Sequence, residues 1–144
     1  MDFDTEIRVI GKPILLGVLG THEQISKQDL HEKILHPLMS AIGRLPDKLM
    51  IPSQGTSSAY ISIWAERANL ETVCVDADWR KLQRRAGIMR DARIVKDSTH
   101  LLVFGGAKSK NYEQLGIREA KKGKQVFLVD HASLDLCELV VEEE

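Results

Sequence analysis

The chain has 144 residues, 43% hydrophobic and 28% charged, and its 20 basic and 21 acidic side chains leave a formal net charge of −1. That is the size of one ordinary domain with enough apolar content for a core, and the charge balance excludes any general attraction to nucleic acid or anionic lipid, so anion binding must be local. No apolar run approaches the ~20 residues a membrane-spanning helix needs, and the acidic start Met1-Asp2-Phe3-Asp4-Thr5-Glu6 does not read as a signal-peptide n-region. The expected location is therefore cytoplasmic, with no membrane partner.

The first element is the apolar run Ile14–Leu19, which suits a strand buried on both faces and ends in Gly20-Thr21-His22. From Asp29 to Ile42, Leu30, Ile34, Leu35, Leu38, Met39 and Ile42 recur at helical spacing. Ser26 or Asp29 is the expected N-cap, and Pro37 should kink or interrupt the helix. A second strand, Asp47–Ile51, runs into Pro52-Ser53-Gln54-Gly55-Thr56-Ser57-Ser58, followed by a well-covered helix over Ser58–Asn69. The third strand is Leu70–Val75. The arginine-rich segment after Asp76-Ala77-Asp78-Trp79 offers Leu82, Ala86, Ile88, Met89, Ala92 and Val95 for burial, with Gly87 as the expected break. Thr99–Phe104 is the fourth strand, entering Gly105-Gly106-Ala107-Lys108-Ser109-Lys110-Asn111. A helix over Tyr112–Lys122 then stops at Gly123, a residue suited to the position after a helix, and Lys124–Val129 is the fifth strand. Leu134–Val141 adds a last strand or short helix, and Glu142-Glu143-Glu144 should fray. Cys74 and Cys137 fall in strand-like apolar segments and read as small core residues, not as a disulfide or zinc framework.

Strand and helix alternate throughout. The pattern predicts an α/β, three-layer Rossmann-like fold: a mainly parallel five- to six-stranded sheet with helices on both faces. Residues 1–144 read as one nucleotide-binding domain with its core at about 12–131.

In such a sheet the strand-to-helix loops share one edge, and ligands settle where the strand order reverses. Three of these loops carry glycines, which let backbone amides approach a ligand, and hydroxyls, which add donors. The helix starts behind them supply free N–H groups and a positive dipole end. Candidate ligand contacts are therefore Gly20, Thr21 and His22 in the first loop; Ser53, Gln54, Gly55, Thr56 and Ser57 in the second; and Gly105, Gly106, Lys108 and Ser109 in the fourth. Any single loop of this kind is ordinary turn chemistry; three on one edge point to an anionic or polar ligand. Neither the Gly-x-Gly-x-x-Gly dinucleotide fingerprint nor the P-loop pattern occurs, which disfavours an ordinary NAD dehydrogenase or P-loop NTPase. Residues 80–93 hold six basic side chains against one acid. Read blandly they are a solvated helix face; read sharply, Arg90 turns its planar fork into the crevice.

No metal site is expected: His31 and His36, five residues apart, diverge on a helix, and no His-Glu-x-x-His or Cys/His cluster is present. His100 and His131 read as strand-end residues. Nothing supports covalent catalysis, and the one candidate acid or base is Glu113, whose place at a helix start is equally explained by the dipole.

With these loops placed, the chain resembles the SLOG superfamily of Rossmann-like nucleotide-binding proteins, and within it the YspA-like group of small stand-alone domains. The resemblance covers about residues 14 to 130. It rests on Trp64-Ala65-Glu66, on Ala77-Asp78-Trp79 through Ala86-Gly87-Ile88-Met89-Arg90-Asp91, on Leu101–Phe104 with Gly105-Gly106, and on Gly123-Lys124-Gln125-Val126. It implies ligand contacts from the first and second loops, Arg90 and Gly105-Gly106, and relatives that commonly form homo-oligomers. There are departures. Thr21-His22 stands where relatives usually carry an arginine or serine-arginine, the second loop lacks the usual His-Gly-Gly-x-x-Gly-x-Asp, and Asp91 replaces a common asparagine. The enzymatic branch, cytokinin-activating phosphoribohydrolases, continues Gly-Gly-x-Gly-Thr-x-x-Glu, whereas here Gly-Thr is missing and Glu113 comes one position late.

The leading expectation is a sensor, carrier or sequestering module for a nucleotide or ADP-ribose-like molecule, with no other cofactor implied. The alternatives are a phosphoribohydrolase or N-glycosidase using Glu113 and Arg90, and a nucleic-acid module like the DNA-processing DprA branch. The charge balance and 5% aromatic content make the second of these the weaker. A scaffold that pairs through a dimer face is a further possibility.

Overall fold

In the computed structural model, residues 12–83, 85–105 and 111–141 are described. Strand β1 (Leu15–Leu19) is followed by a helical stretch made of α1 (Lys27–Asp29), a π-helical segment (Leu30–Leu35) and α2 (His36–Ile42). Then come β2 (Lys48–Pro52), α3 (Thr56–Arg67), β3 (Glu71–Val75), α4 (Trp79–Leu82), α5 (Arg85–Asp97), β4 (His100–Phe104), α6 (Asn111–Lys121), β5 (Gln125–Val129) and β6 (Leu136–Glu138). They form one six-stranded sheet of order β3-β2-β1-β4-β5-β6, parallel except for the antiparallel β5–β6 pair. This is the Rossmann-like α/β architecture expected.

The inner strands are apolar on both faces because both faces are covered. Leu16 and Val18 of β1, Leu49 and Ile51 of β2, and Leu102 and Phe104 of β4 pack on one side with Leu30, Ile34 and Leu38 and with Ile61 and Ala65 of α3. The alternate residues Leu19, Met50, Leu101 and Val103 pack on the other side with Ile94 of α5 and Ala120 of α6. A period of two along the strands thus feeds two cores.

Gly17 is the exception to that alternation, and close approach explains it. A Cβ there would overlap Ser98 Oγ and come within 2.7 Å of Ile94 Cγ2. With no side chain beneath it, α5 lies directly on β1, and Ser98 Oγ donates to Ile94 O at 2.6 Å at the helix end.

Several expectations are refined. Ser26 caps the first helical stretch, accepting from Asp29 N–H at 3.0 Å. Pro37 cannot donate to the preceding turn, and the interruption takes the form of a π-helix in which His36 N–H reaches back to His31 O. The break in the arginine-rich segment falls at Gln83, whose φ is 51°; Gly87 lies inside α5. The face of α5 also differs from the one expected. Ala86, Asp91 and Ile94 are buried, while Ile88 and Met89 are 69% and 54% exposed and Ala92 is exposed. Contact with β1 over Gly17 fixes Ile94 inward, and at 100° per residue this turns Ile88, Met89 and Ala92 away from the sheet. Cys74 and Cys137 are exposed free thiols, not core residues. They sit on β3 and β6, the two edge strands of the sheet. Glu142, Glu143 and Glu144 lie outside the described residues, as do Gly106, Lys108 and Ser109. Among the described residues no helix is long and apolar enough to cross a membrane.

Candidate functional site

The strand order reverses between β1 and β4, so the chain leaving β1 and the chain leaving β4 turn to opposite faces. The parting opens a crevice of about 420 Å³, lined by Gly20, Thr21, Glu23, Gln54, Gly55, Arg90, Phe104 and Tyr112. The first and second loops therefore meet at one rim. Of the residues expected there, Gly20, Thr21, Gln54, Gly55 and Arg90 line the crevice. Gly105 follows Phe104 at the end of β4 and is tied by its N–H to Val129 O at 3.3 Å.

Others of the set have internal duties. The His22 ring is turned inward: the residue is 6% exposed, and the ring stacks on that of His131 with centroids 4.4 Å apart. Gln24 N–H donates to Nδ1 at 3.3 Å, so Nε2 carries the hydrogen and donates to His131 O at 3.0 Å. Ser57 is fully buried, and its Oγ accepts the His22 N–H at 2.8 Å. Ser53 N–H closes onto Val75 O at 3.1 Å. His22 and Ser57 thus join the first loop to the start of α3 instead of facing a ligand.

The residue that sequence reasoning missed is Glu23. Helix α3 has no side-chain cap of its own, because its N-cap is Gly55 at φ 114°. The Glu23 carboxylate fills that role from the neighbouring loop, accepting the Thr56 N–H at 3.2 Å and the Thr56 hydroxyl at 3.1 Å. A hydrogen bond from the Thr21 hydroxyl, joined by those from Thr56, holds the carboxyl below its ordinary range against the opposing effect of burial. Gly55 is required by both its φ and its space: a Cβ would overlap Thr21 Cγ2 and lie 3.0 Å from Glu23 Oε2. The helix start expected to attract a ligand anion already holds an internal one. A Glu two residues after Thr21 carries no motif, and only the fold brings it to Thr56.

Opposite Glu23 stands a second network. Arg90 Nε donates to Asp91 Oδ1 at 3.1 Å, Tyr112 OH donates to Asp91 Oδ2 at 2.8 Å, and Arg90 reaches Tyr112 OH at 3.4 Å. The Arg90 and Asp91 side chains are 13% and 11% exposed, so the guanidinium is fixed in direction while its remaining donors stay available. Asp91 is what holds Arg90 at the rim. Burial first, then the adjacent Asp91 charge, pushes the Tyr112 phenol up to about 12. A phenol whose folded pKa lies above its unfolded value of 10.0 lends stability that is complete below pH 10 and fades as pH rises toward 12. In a phenolate absorbance titration of the folded chain, one tyrosine is expected to ionise only near pH 12, and Tyr112→Phe should remove that step.

The candidate acid Glu113 lies in the first turn of α6 and is not among the crevice residues; its neighbour Tyr112 is. Among the described residues no cluster of three or more His, Cys, Asp or Glu could hold a metal ion.

The chain matches no protein-family model, no curated protein and no solved structure.

Proposed function

We propose that the chain is a SLOG-type binding protein for a nucleotide or nucleotide-derived small molecule, held in the crevice between β1 and β4. The observation that carries this reading is the meeting of Gly20, Thr21, Gln54, Gly55 and a fixed Arg90 at the reversal of strand order, the place where open α/β sheets accept ligands. The crevice volume fits a molecule of nucleotide size. Glu23, an acceptor at one side, suits ribose hydroxyls; the spare donors of Arg90 at the other suit a phosphate. ADP-ribose and mononucleotides share this chemistry.

Binding is favoured over turnover because the carboxylate among the crevice's lining residues, Glu23, is already engaged with Thr56. A cytoplasmic, self-associating protein with no nucleic-acid partner fits this role.

A thermal-shift screen against AMP, ADP, cyclic AMP and ADP-ribose tests the reading, since a ligand that binds the native state raises the melting temperature by mass action. At least one of the four is expected to do so, and Arg90→Ala should weaken it by roughly tenfold or more, the loss of a charge-assisted hydrogen bond. No shift from any of them at millimolar concentration, or equal affinity in Arg90→Ala, rejects the proposal. Release of free base from a mononucleotide, abolished by Glu113→Ala, would replace it with the hydrolase reading.

A further inference from the structure

Helices α5 and α6 lie side by side on one face of the sheet, and the gap between them is a groove of about 800 Å³, roughly twice the crevice. Its wall includes Trp79, Ile88, Val95 and Leu115. Trp79 is 49% and Ile88 69% exposed, so large apolar side chains face water here instead of the core. For Ile88 the cause is the rotation of α5 fixed by its seat on Gly17. An apolar concavity of this size is of the kind that encloses small ligands.

The charges of its rim select among possible occupants. Five cations line the groove (Arg90, Lys96, Arg118, Lys122 and Lys124) against two carboxylates, Asp91 and Glu119, in a chain whose net charge is −1. Asp91 is committed to Arg90. Glu119, with its side chain 2% exposed, is shared by Lys122 at 3.1 Å, Lys124 at 3.3 Å and Arg118 at 3.6 Å. Burial alone would raise the Glu119 pKa; hydrogen bonds from Lys122 and Lys124 outweigh it and leave the carboxyl below its ordinary range. One carboxylate among three cations leaves a local positive excess beside an apolar wall. A second copy placed face to face would set these cations against their own images.

We infer that this groove is a second ligand site, separate from the crevice, for a small amphiphilic anion: an acyl or aryl carboxylate. Its apolar part would lie on Trp79, Val95 and Leu115, and its carboxylate would meet Lys96 and Lys122. Arg90 and Tyr112 line both cavities, so the two sites share a wall. The inference does not depend on what binds in the crevice.

The probes are octanoate, octanol and octylammonium, titrated into the nitrogen-labelled chain without nucleotide while the indole N–H signal of Trp79 is followed. Octanoate is expected to shift that signal saturably at millimolar concentration or below, and octanol and octylammonium at least about tenfold more weakly. Ala92→Trp fills the groove from an exposed position, so it should fold normally and weaken octanoate by about tenfold or more. Lys96→Gln with Lys122→Gln should do the same while Lys124 and Arg118 keep Glu119 paired. No saturable shift with octanoate, octanol binding as well as octanoate, or unchanged binding in Ala92→Trp would each overturn the inference.

Discussion

Replacing Gly17 with valine is expected to destabilise the chain by about 3 kcal/mol, near the top of the usual range for overpacking a core. The reason is geometric. Ile94 and Ser98 of α5 occupy the space a side chain would need, and both are buried, at 0% and 4% exposure. Neither can retreat without lifting α5 from β1, and the central strand pairs β2 and β4 on its two sides. Urea unfolding should give a lower midpoint at similar slope, and for a chain of this length the melting temperature should fall by roughly 10 °C. Adding Ser98→Ala removes one of the clashing atoms and should recover part of the loss, a positive coupling between contacting positions. A Gly17→Val protein as stable as the parent would show that α5 does not rest on β1, and the exposed face of α5 would lose its explanation.

Glu23→Gln should have the largest effect on selectivity. The carboxylate occupies the N-terminal end of α3, where an external phosphate would otherwise find the Thr56 amide and the helix dipole. Two anions cannot share that end cheaply. The glutamine amide can still accept from Thr56, but its charge is gone, so inorganic phosphate or sulfate is expected to bind about tenfold more tightly to Glu23→Gln than to the parent. Glu23→Ala removes the cap as well and should cost about 1 kcal/mol of stability at neutral pH. The pH dependence has a definite sign. Because folding lowers the Glu23 pKa from 4.5, its contribution is present above that value and disappears as pH falls through the folded value. The stability gap between parent and Glu23→Ala should therefore close in acid. A gap that persists there, or unchanged phosphate affinity in Glu23→Gln, would remove Glu23 from the selectivity of the crevice.

How much of this was legible beforehand can be judged from particular residues. The apolar runs of β1, β2, β4 and β5 declared a sheet covered on both faces, and the glycines at 20, 55 and 105 marked the edge where loops emerge. These are local signals, set by backbone conformation and by period. Arg90 could be picked out as well, since it alone of the arginine-rich segment had a crevice-directed reading. Three things escaped for one shared reason: they depend on what lies opposite in space. Glu23 matters because Thr56 N–H is beside it. His22 looked available because its partner, His131, is 109 residues away in sequence. The outward turn of Ile88 and Met89 follows from the absence of a side chain at Gly17, on a different element. Helical period alone showed that α5 has an apolar stripe; it did not show whether the sheet or the solvent would receive it.

The two thiols carry a consequence of their own. Cys74 and Cys137 sit on β3 and β6, at opposite margins of a six-stranded sheet, and five inter-strand spacings put them on the order of 24 Å apart. A disulfide spans less than about 7 Å between Cα atoms, so neither can reach the other within one molecule. Oxidation can join this protein only from margin to margin, copy after copy, and the same separation makes the native cysteines a ready pair of attachment points for a spectroscopic ruler laid across the sheet.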